Sequence, residues 1–493
     1  MGEASVTGGG PPAAAAVRVL AVSRVVPAAS SSSAGATAGE GRVKLCFFDT
    51  PWVVLPPIQR VFLYELPGVD DDAAEFPALV RRLKDSLAAT LAAYVPLAGK
   101  LAHDADTGGV AVDCAAAADD PGVAFVEADA EAEGTTMCAR RLARDEAHDI
   151  PAFRSLVPDL DARVLPAPVL AVQATRLAGG LALGVSVHHA VADGNAVWRF
   201  VAAWAAAARG EKPVSDALPA PHYCRDVARV PDDDELARRL LQMIVPNLPS
   251  TSLAVDYDFS HRFALERRTF YLSGDAIQAL KRRIEALAAA EDAENAAAAA
   301  DGTASRKNKP VSTFVALSAL GWTAFVRSKG LGAGDDTYMV FMADLRARMD
   351  PPVPEGYLGN CIKACPAGTD AGDLGGGERG LLRACRAVQA AVAAEVEAAP
   401  LAGLDRWMER MMRLPFERMC NVAASPRFRV YDAADFGFGR PARVELVSMN
   451  NDGEMVLVGG REPGEVQLSV SLDPARMEEF KAHVLAATAP PAN

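Results

Sequence analysis

Apolar positions along the 493-residue chain change period several times. Residues 77–93 repeat at helical spacing and stop at Pro96-Leu97-Ala98-Gly99. Over 181–189 the period drops to two, so that Leu181, Leu183, Val185, Val187 and His189 share one face of a strand. Val197, Phe200, Val201 and Trp204 then recur at helical spacing, so a helix follows closely. Residues 311–327 read as a strongly apolar helix and 338–343 as a strand. Val466, Leu468, Val470 and Leu472 alternate, after which Asp473 caps a helix with Pro474 at its first position and Met477, Phe480 and Val484 inward. Strands and helices mix through both halves, which predicts a layered α/β fold in two domains.

Breaks in the pattern divide the chain. The low-complexity runs 28–41 and 288–309 offer no face to bury and read as surface insertions, the second starting helical and failing at Asp301-Gly302. Residues 211–260 are rich in proline and hold one amphipathic helix around 233–244, too long for an ordinary loop and suited to a crossover. The expected organisation is an N-terminal domain over 1–210, a crossover over 211–262 and a C-terminal domain over 263–493.

Composition narrows the function. A net charge of −13 argues against a broad nucleic-acid surface. Eight cysteines lie scattered at 46, 114, 138, 224, 361, 365, 385 and 420, a pattern of reduced thiols rather than of a disulfide framework or a zinc site. No apolar run reaches the roughly 18 residues of a membrane span. The N-terminus opens on Glu3 without a cationic stretch, and Val6 stands where a myristoylation motif wants Ser or Thr. A cytoplasmic monomer is the expectation.

The sharpest local feature is His188-His189-Ala190-Val191-Ala192-Asp193-Gly194. An imidazole at a strand end, beside a turn of small residues, can reach a cleft on a rigid backbone, as a general base must. The same residues also fit a hydrogen-bonded core histidine and a helix N-cap aspartate. His188 and His189 face opposite ways on a strand and so cannot share a metal ion. Gly184-Val185-Ser186-Val187-His188 resembles a hydrolase nucleophile elbow, but bulky His188 replaces its final small residue. Further on, Asp435-Phe436-Gly437-Phe438-Gly439 reads as a glycine-bent strand edge leading into 444–447. The glycine-rich loop and His-Arg-Asp loop of a kinase do not precede it.

His189-x-x-x-Asp193-Gly194 with Asp435-Phe-Gly-Phe-Gly439 resembles the plant BAHD acyltransferases, which move acyl groups from coenzyme A thioesters to hydroxyls or amines. Phe47-Phe48-Asp49-Thr50-Pro51-Trp52, residues 57–64, Pro96-Leu97-Ala98-Gly99-Lys100-Leu101, and Asp344-Leu345-Arg346-Ala347-Arg348 followed by Tyr357-Leu358-Gly359-Asn360-Cys361 agree with it in order. The resemblance spans about residues 17 to 488 and favours the branch that malonylates anthocyanins and phenolic glucosides. Phe438 replaces the usual Trp, and Leu358 the usual Phe. The arginine that some malonyl-using relatives carry four residues after the motif aspartate is Val197, and the nearest cation is Arg199, which helical spacing turns away. Malonyl and hydroxycinnamoyl donors both stay open, as does an amine acceptor.

The resemblance implies two similar-sized, chloramphenicol-acetyltransferase-like domains meeting at a central tunnel, with acyl-CoA as co-substrate, a phenolic or flavonoid glycoside as acceptor, and no resident cofactor or metal. It assigns His189 as general base, with Asp193 paired to Arg346 and holding the motif in place, and makes Asp435, Phe436, Gly437, Phe438 and Gly439 structural. Oxyanion stabilisation is expected on the Phe438 side. Tyr357 and Asn360 are candidate substrate contacts. Ser273 and Lys281, with Arg282, Arg283, Arg306, Lys307 and Lys309, are candidates for the coenzyme A phosphates.

Overall fold

The computed structural model describes residues 17–29, 41–66, 75–115, 121–130, 137–144, 146–161, 164–248, 262, 264–298 and 310–489. Most of the run 28–41, and 299–309 with Arg306, Lys307 and Lys309, lie outside the described residues.

Two six-stranded mixed sheets organise the fold. The first runs, in spatial order, Arg18–Val25, Val123–Asp129, Leu170–Leu177, Gly180–Val187, Ile58–Glu65 and Arg443–Glu445. The second runs Glu266–Leu272, Val466–Leu472, Glu454–Gly459, Met419–Ala423, Asp336–Asp344 and Ile362–Asp370. A four-stranded sheet of Arg42–Lys44, Gly109–Asp113, Lys100–Asp104 and Ala167–Pro168 lies beside the first. The architecture is the layered α/β fold in two units.

The strand Gly180–Val187 sits inside its sheet with all eight residues buried. Its two faces meet different layers, which is why its apolar content is nearly continuous. Leu181, Leu183, Val185 and Val187 pack with the helices Glu75–Leu91 and Gly194–Ala208. Ala182 packs on the other side with Leu142, Phe153 and Leu156. The strand ends at Val187, two residues earlier than the alternation suggests, and His189 stands in the turn that follows. The apolar helix also starts later than expected, at Thr313, because the Ser312 hydroxyl accepts from the Val315 amide at 3.2 Å and so fixes the N-cap there. Near the end, Asp473 caps the helix Pro474–Thr488, with Met477, Phe480 and Val484 buried as the spacing requires.

The halves interlock. Arg443–Glu445 comes from the C-terminal half but completes the first sheet, pairing Glu445 with Val61 and Arg443 with Leu63. In return, Cys46, Phe47 and Phe48 enter the core of the second sheet. The boundaries at 210 and 262 stand as our proposal for where the chain passes between units.

A buried polar seam crosses the junction. Glu445 accepts from Arg443 Nε at 3.1 Å and Arg267 Nε at 3.2 Å, and His148 Nε2 meets Thr269 Oγ1 at 3.0 Å. Burial, with Arg443 and Arg267 close by, pushes His148 well below the ordinary imidazole range, against the pull of Glu445. Burial likewise lowers His188 to about 4. In the unfolded chain both imidazoles take up protons near pH 6.5, whereas in the folded protein they resist until lower pH. Their contribution is therefore intact above about pH 6.5 and declines as pH falls below it, down to about 4 for His188, at up to ~1.4 kcal/mol per pH unit for each group. Urea unfolding at pH 7.5, 6.0 and 5.0 is expected to show this decline, with a shallower slope in His148→Gln. A flat profile would contradict it.

Candidate active site

The turn that carries His189 is held from below and from both sides. The His188 amide donates to the Val169 carbonyl at 2.8 Å, and His188 Nδ1 accepts from the Ala190 amide at 3.2 Å. His188 is fully buried and closes the turn on itself. His189 is partly exposed and lies face to face on the Trp52 indole, with centroids 3.9 Å apart and planes 10° from parallel. Its Nδ1 is buried without a hydrogen-bond partner. Burial first, and then the positive charge of Arg60, bring the imidazole down to about 4, so it is neutral at physiological pH.

Asp193 has two tasks at once. Its Oδ1 accepts from the Ala196 amide at 3.0 Å and caps the helix Gly194–Ala208. The same carboxylate grips Arg346 through two bonds of 2.8 and 3.0 Å and accepts from the Cys361 amide at 3.2 Å. Both residues are buried, Asp193 completely. Burial alone would weaken the guanidinium's hold on its proton, but Asp193 keeps it above the ordinary arginine value. Arg346 also donates to the Gly359 carbonyl at 3.1 Å, so the helix cap is tied to the 357–361 segment.

A second pair stands on the other flank. Asp49 is completely buried and accepts from Arg225 Nε at 2.7 Å and from the Asn360 amide and Nδ2 at 2.9 Å each. Arg225 NH2 donates to the Val191 carbonyl at 3.1 Å, while Asn360 Nδ2 also donates to the His189 carbonyl at 2.9 Å. His189 thus sits on backbone pinned at 189, 191 and 193. Sequence reading did not single out Asp49, Arg225 or Trp52 for the site. The available signal was Asp49, a lone acid inside the apolar Phe47–Trp52 run; Arg225 sits in the proline-rich crossover with nothing local to mark it.

Other candidates fall elsewhere. Tyr357 is buried, its ring 5.5 Å from the guanidinium carbons of both Arg225 and Arg346, which makes it part of this scaffold. Asn360 is scaffold through its Nδ2. Ser273 accepts from the Ala276 amide at 3.2 Å as a helix cap, and Lys281 and Arg282 lie on the same helix, Gly274–Ala298. Arg283 pairs with Glu378 at 2.7 Å. Ser186 donates to the Pro158 carbonyl at 2.7 Å from within the strand, where no nucleophile elbow forms.

Residues 435–439 form a turn, not the expected strand edge. Asp435 accepts from the amides of Gly437 at 2.9 Å and Gly439 at 3.2 Å, and both glycines take positive φ, at +87° and +95°. This Asx-type loop removes 435–439 from any sheet, and the strand itself runs only from Arg443 to Glu445. Phe436 packs edge-on against Trp204 at 4.8 Å, and Phe438 against Tyr64 at 4.7 Å. Trp204 is eleven residues along the helix from Asp193, about 16 Å at the helical rise. The loop therefore braces the far end of the motif helix.

A family model described as Transferase family matches residues 18–486. The chain belongs to the BAHD acyltransferase family. It is an acyl-CoA-dependent acyltransferase. Among its BAHD relatives is a malonyl-CoA:anthocyanidin 5-O-glucoside-6''-O-malonyltransferase of Arabidopsis thaliana, 31% identical, with 94% of this chain and 97% of the relative covered. A putrescine hydroxycinnamoyltransferase of Oryza sativa subsp. japonica is also 31% identical, covering 92% and 96%. The fold is that of vinorine synthase, with a TM-score of 0.65, 21% identity, and 96% and 98% of the two chains covered.

In this BAHD fold, breaking either buried pair strands a charge at roughly 3–5 kcal/mol. Asp193→Asn and Arg346→Ala are each expected to lower the chemical unfolding midpoint. Their double-mutant cycle is expected to show coupling on the order of 1.5–3 kcal/mol. Additive losses would reduce Asp193 to a helix cap alone.

Proposed function

We propose that this protein moves a malonyl group from malonyl-CoA to a hydroxyl of a phenolic or flavonoid glycoside, with His189 as general base. The observation that carries the reading is the neutral His189 imidazole on a turn pinned at three points, with the nearby carboxylate of Asp193 committed to Arg346. A base without its own carboxylate partner stays unprotonated until the acceptor arrives. In this reading His189 takes the hydroxyl proton as the acceptor oxygen attacks the thioester carbonyl. The tetrahedral intermediate collapses, the carbon–sulfur bond breaks, and the imidazolium returns the proton to the departing thiolate. The products are acylated glycoside and free coenzyme A thiol, with no acyl-enzyme. Proton transfer of this kind is worth typically ~10²–10⁴-fold.

The relatives named as anthocyanin and phenolic glucoside malonyltransferases support the donor and acceptor classes. The putrescine hydroxycinnamoyltransferase supports a second reading, with an aromatic donor and an amine acceptor. Five buried free thiols fit a reducing, cytosolic setting. We take the working form to be a monomer.

With malonyl-CoA and coumaroyl-CoA competing over one flavonoid glucoside, mass spectrometry is expected to show chiefly malonylated product. A predominantly coumaroylated product would overturn the malonyl assignment. His189→Ala is expected to lower kcat by at least ~10²-fold with coenzyme A binding retained. His188→Ala is expected to lower Tm and leave kcat within about tenfold, because His188 closes the turn without facing the cleft. For the wild type, kcat/KM is expected to stay flat from pH 8 to 5.5, whereas an imidazole titrating near 6.5 would lower it about tenfold by pH 5.5.

A further inference from the structure

Among the described residues, six arginines are buried: Arg60, Arg225, Arg267, Arg268, Arg346 and Arg443. Five of them hold a carboxylate, namely Asp49 for Arg225, Glu445 for Arg267 and Arg443, Glu266 and Glu478 for Arg268, and Asp193 for Arg346. Arg60 is the exception. It is only 5% exposed and pairs with no carboxylate among the described residues. Its one hydrogen bond, 2.9 Å from NH1, goes to the carbonyl of its own neighbour Gln59, and its Nε is buried without an acceptor. A guanidinium taken from water and left unpaired is costly, so a fold retains one where something else supplies the anion.

The register says where Arg60 points. It lies opposite Val185 in the strand Ile58–Glu65, and Ile58 lies opposite Val187, two residues before His189. Paired residues of antiparallel strands share a face, so Arg60 stands on the face that leads to the His189 turn and supports the helix Gly194–Ala208. Its guanidinium is 5.8 Å from the Trp198 ring centroid of that helix. Its charge acts on the His189 imidazole. The charge of Glu454 acts on it, but that carboxylate makes its hydrogen bonds elsewhere, accepting from Asn421 Nδ2 at 3.2 Å and from the Asn451 amide and Nδ2 at 2.8 Å each. Two further donors lack acceptors: the indole N–H groups of Trp198, beside Arg60, and of Trp52, stacked on His189. Burial, and then Arg267, lower the Arg60 guanidinium to about 9, against the opposing pull of Glu454.

We propose that Arg60 recognises the free carboxylate at the far end of the acyl group, making this site selective for thioesters of a short dicarboxylic acid, malonyl-CoA above all. The inference rests on the reading of His189 as the centre of acyl transfer. The carboxylate would take the place that Asp or Glu fills beside every other buried arginine, with the indole N–H groups as additional donors. The motif helix itself offers no such partner: Val197 is apolar, and Arg199 is committed to Glu355 at 2.8 Å.

The test compares malonyl-CoA with acetyl-CoA, which lacks only the carboxylate, over one acceptor. In Arg60→Met, kcat/KM for malonyl-CoA is expected to fall on the order of 100-fold while that for acetyl-CoA stays within about threefold; Arg60→Lys, keeping the charge without the fork, is expected to fall between. Equal losses for both donors, as for a structural residue or a coenzyme A phosphate contact, would overturn the assignment. So would a wild type that uses acetyl-CoA as well as malonyl-CoA. A wild type that transfers neither overturns the transfer reading as well. If the variants do not fold, thermal shifts of the wild type decide: malonyl-CoA is expected to raise Tm further than acetyl-CoA, and equal shifts contradict the proposal.

Discussion

Two buried carboxylates, Asp49 and Asp193, each gripped by an arginine, set the position of the turn that carries His189. Neither pair is a surface ornament. All four groups are withdrawn from water, and each must be matched or the fold is left with an isolated charge in a medium that solvates it poorly. The directionality of the bonds does the rest. Arg225 reaches Val191, Arg346 reaches Gly359, and Asn360 bridges Asp49 to the His189 carbonyl at 2.9 Å. The imidazole therefore inherits its place from backbone that has few alternative ways to satisfy its partners.

This arrangement makes the site a property of the whole chain. His189 and Asp193 come from the N-terminal half, Arg225 from the crossover, and Arg346 and Asn360 from the second half. The same logic recurs in the strand Arg443–Glu445, which completes the first sheet, and in Phe47 and Phe48, which fill the core of the second. Neither half closes its own polar network, so the His189 turn is positioned only when both are folded and docked. The turn 435–439 contributes at a distance by wedging Phe436 against Trp204 at the far end of the motif helix.

Periodicity carried the fold well where one layer decided it. The alternation before His189, the helix ending in Trp204 and the Asp473-Pro474 cap all appear as the spacing required, because local geometry and burial agree there. The Asp193–Arg346 pair was anticipated only through resemblance, since the two residues lie 153 positions apart. Asp49, Arg225 and Trp52 were missed for the same reason: their roles arise from tertiary approach, which leaves no spacing to read. The error at 435–439 is of another kind. A run of apolar and glycine residues suits a strand edge equally well until the Asp435 carboxylate closes on two amides and forces a loop.

The two ion pairs hold the His189 turn rigid. Amide hydrogen exchange of a peptide covering 187–196, in the wild type and in Asp49→Asn, tests this most directly. The clamp predicts strong protection in the wild type and exchange at least tenfold faster in the variant, with the 357–361 segment loosening alongside it. Unchanged protection of the turn once Asp49 has lost its charge would show that the Asp49–Arg225 pair does not hold it.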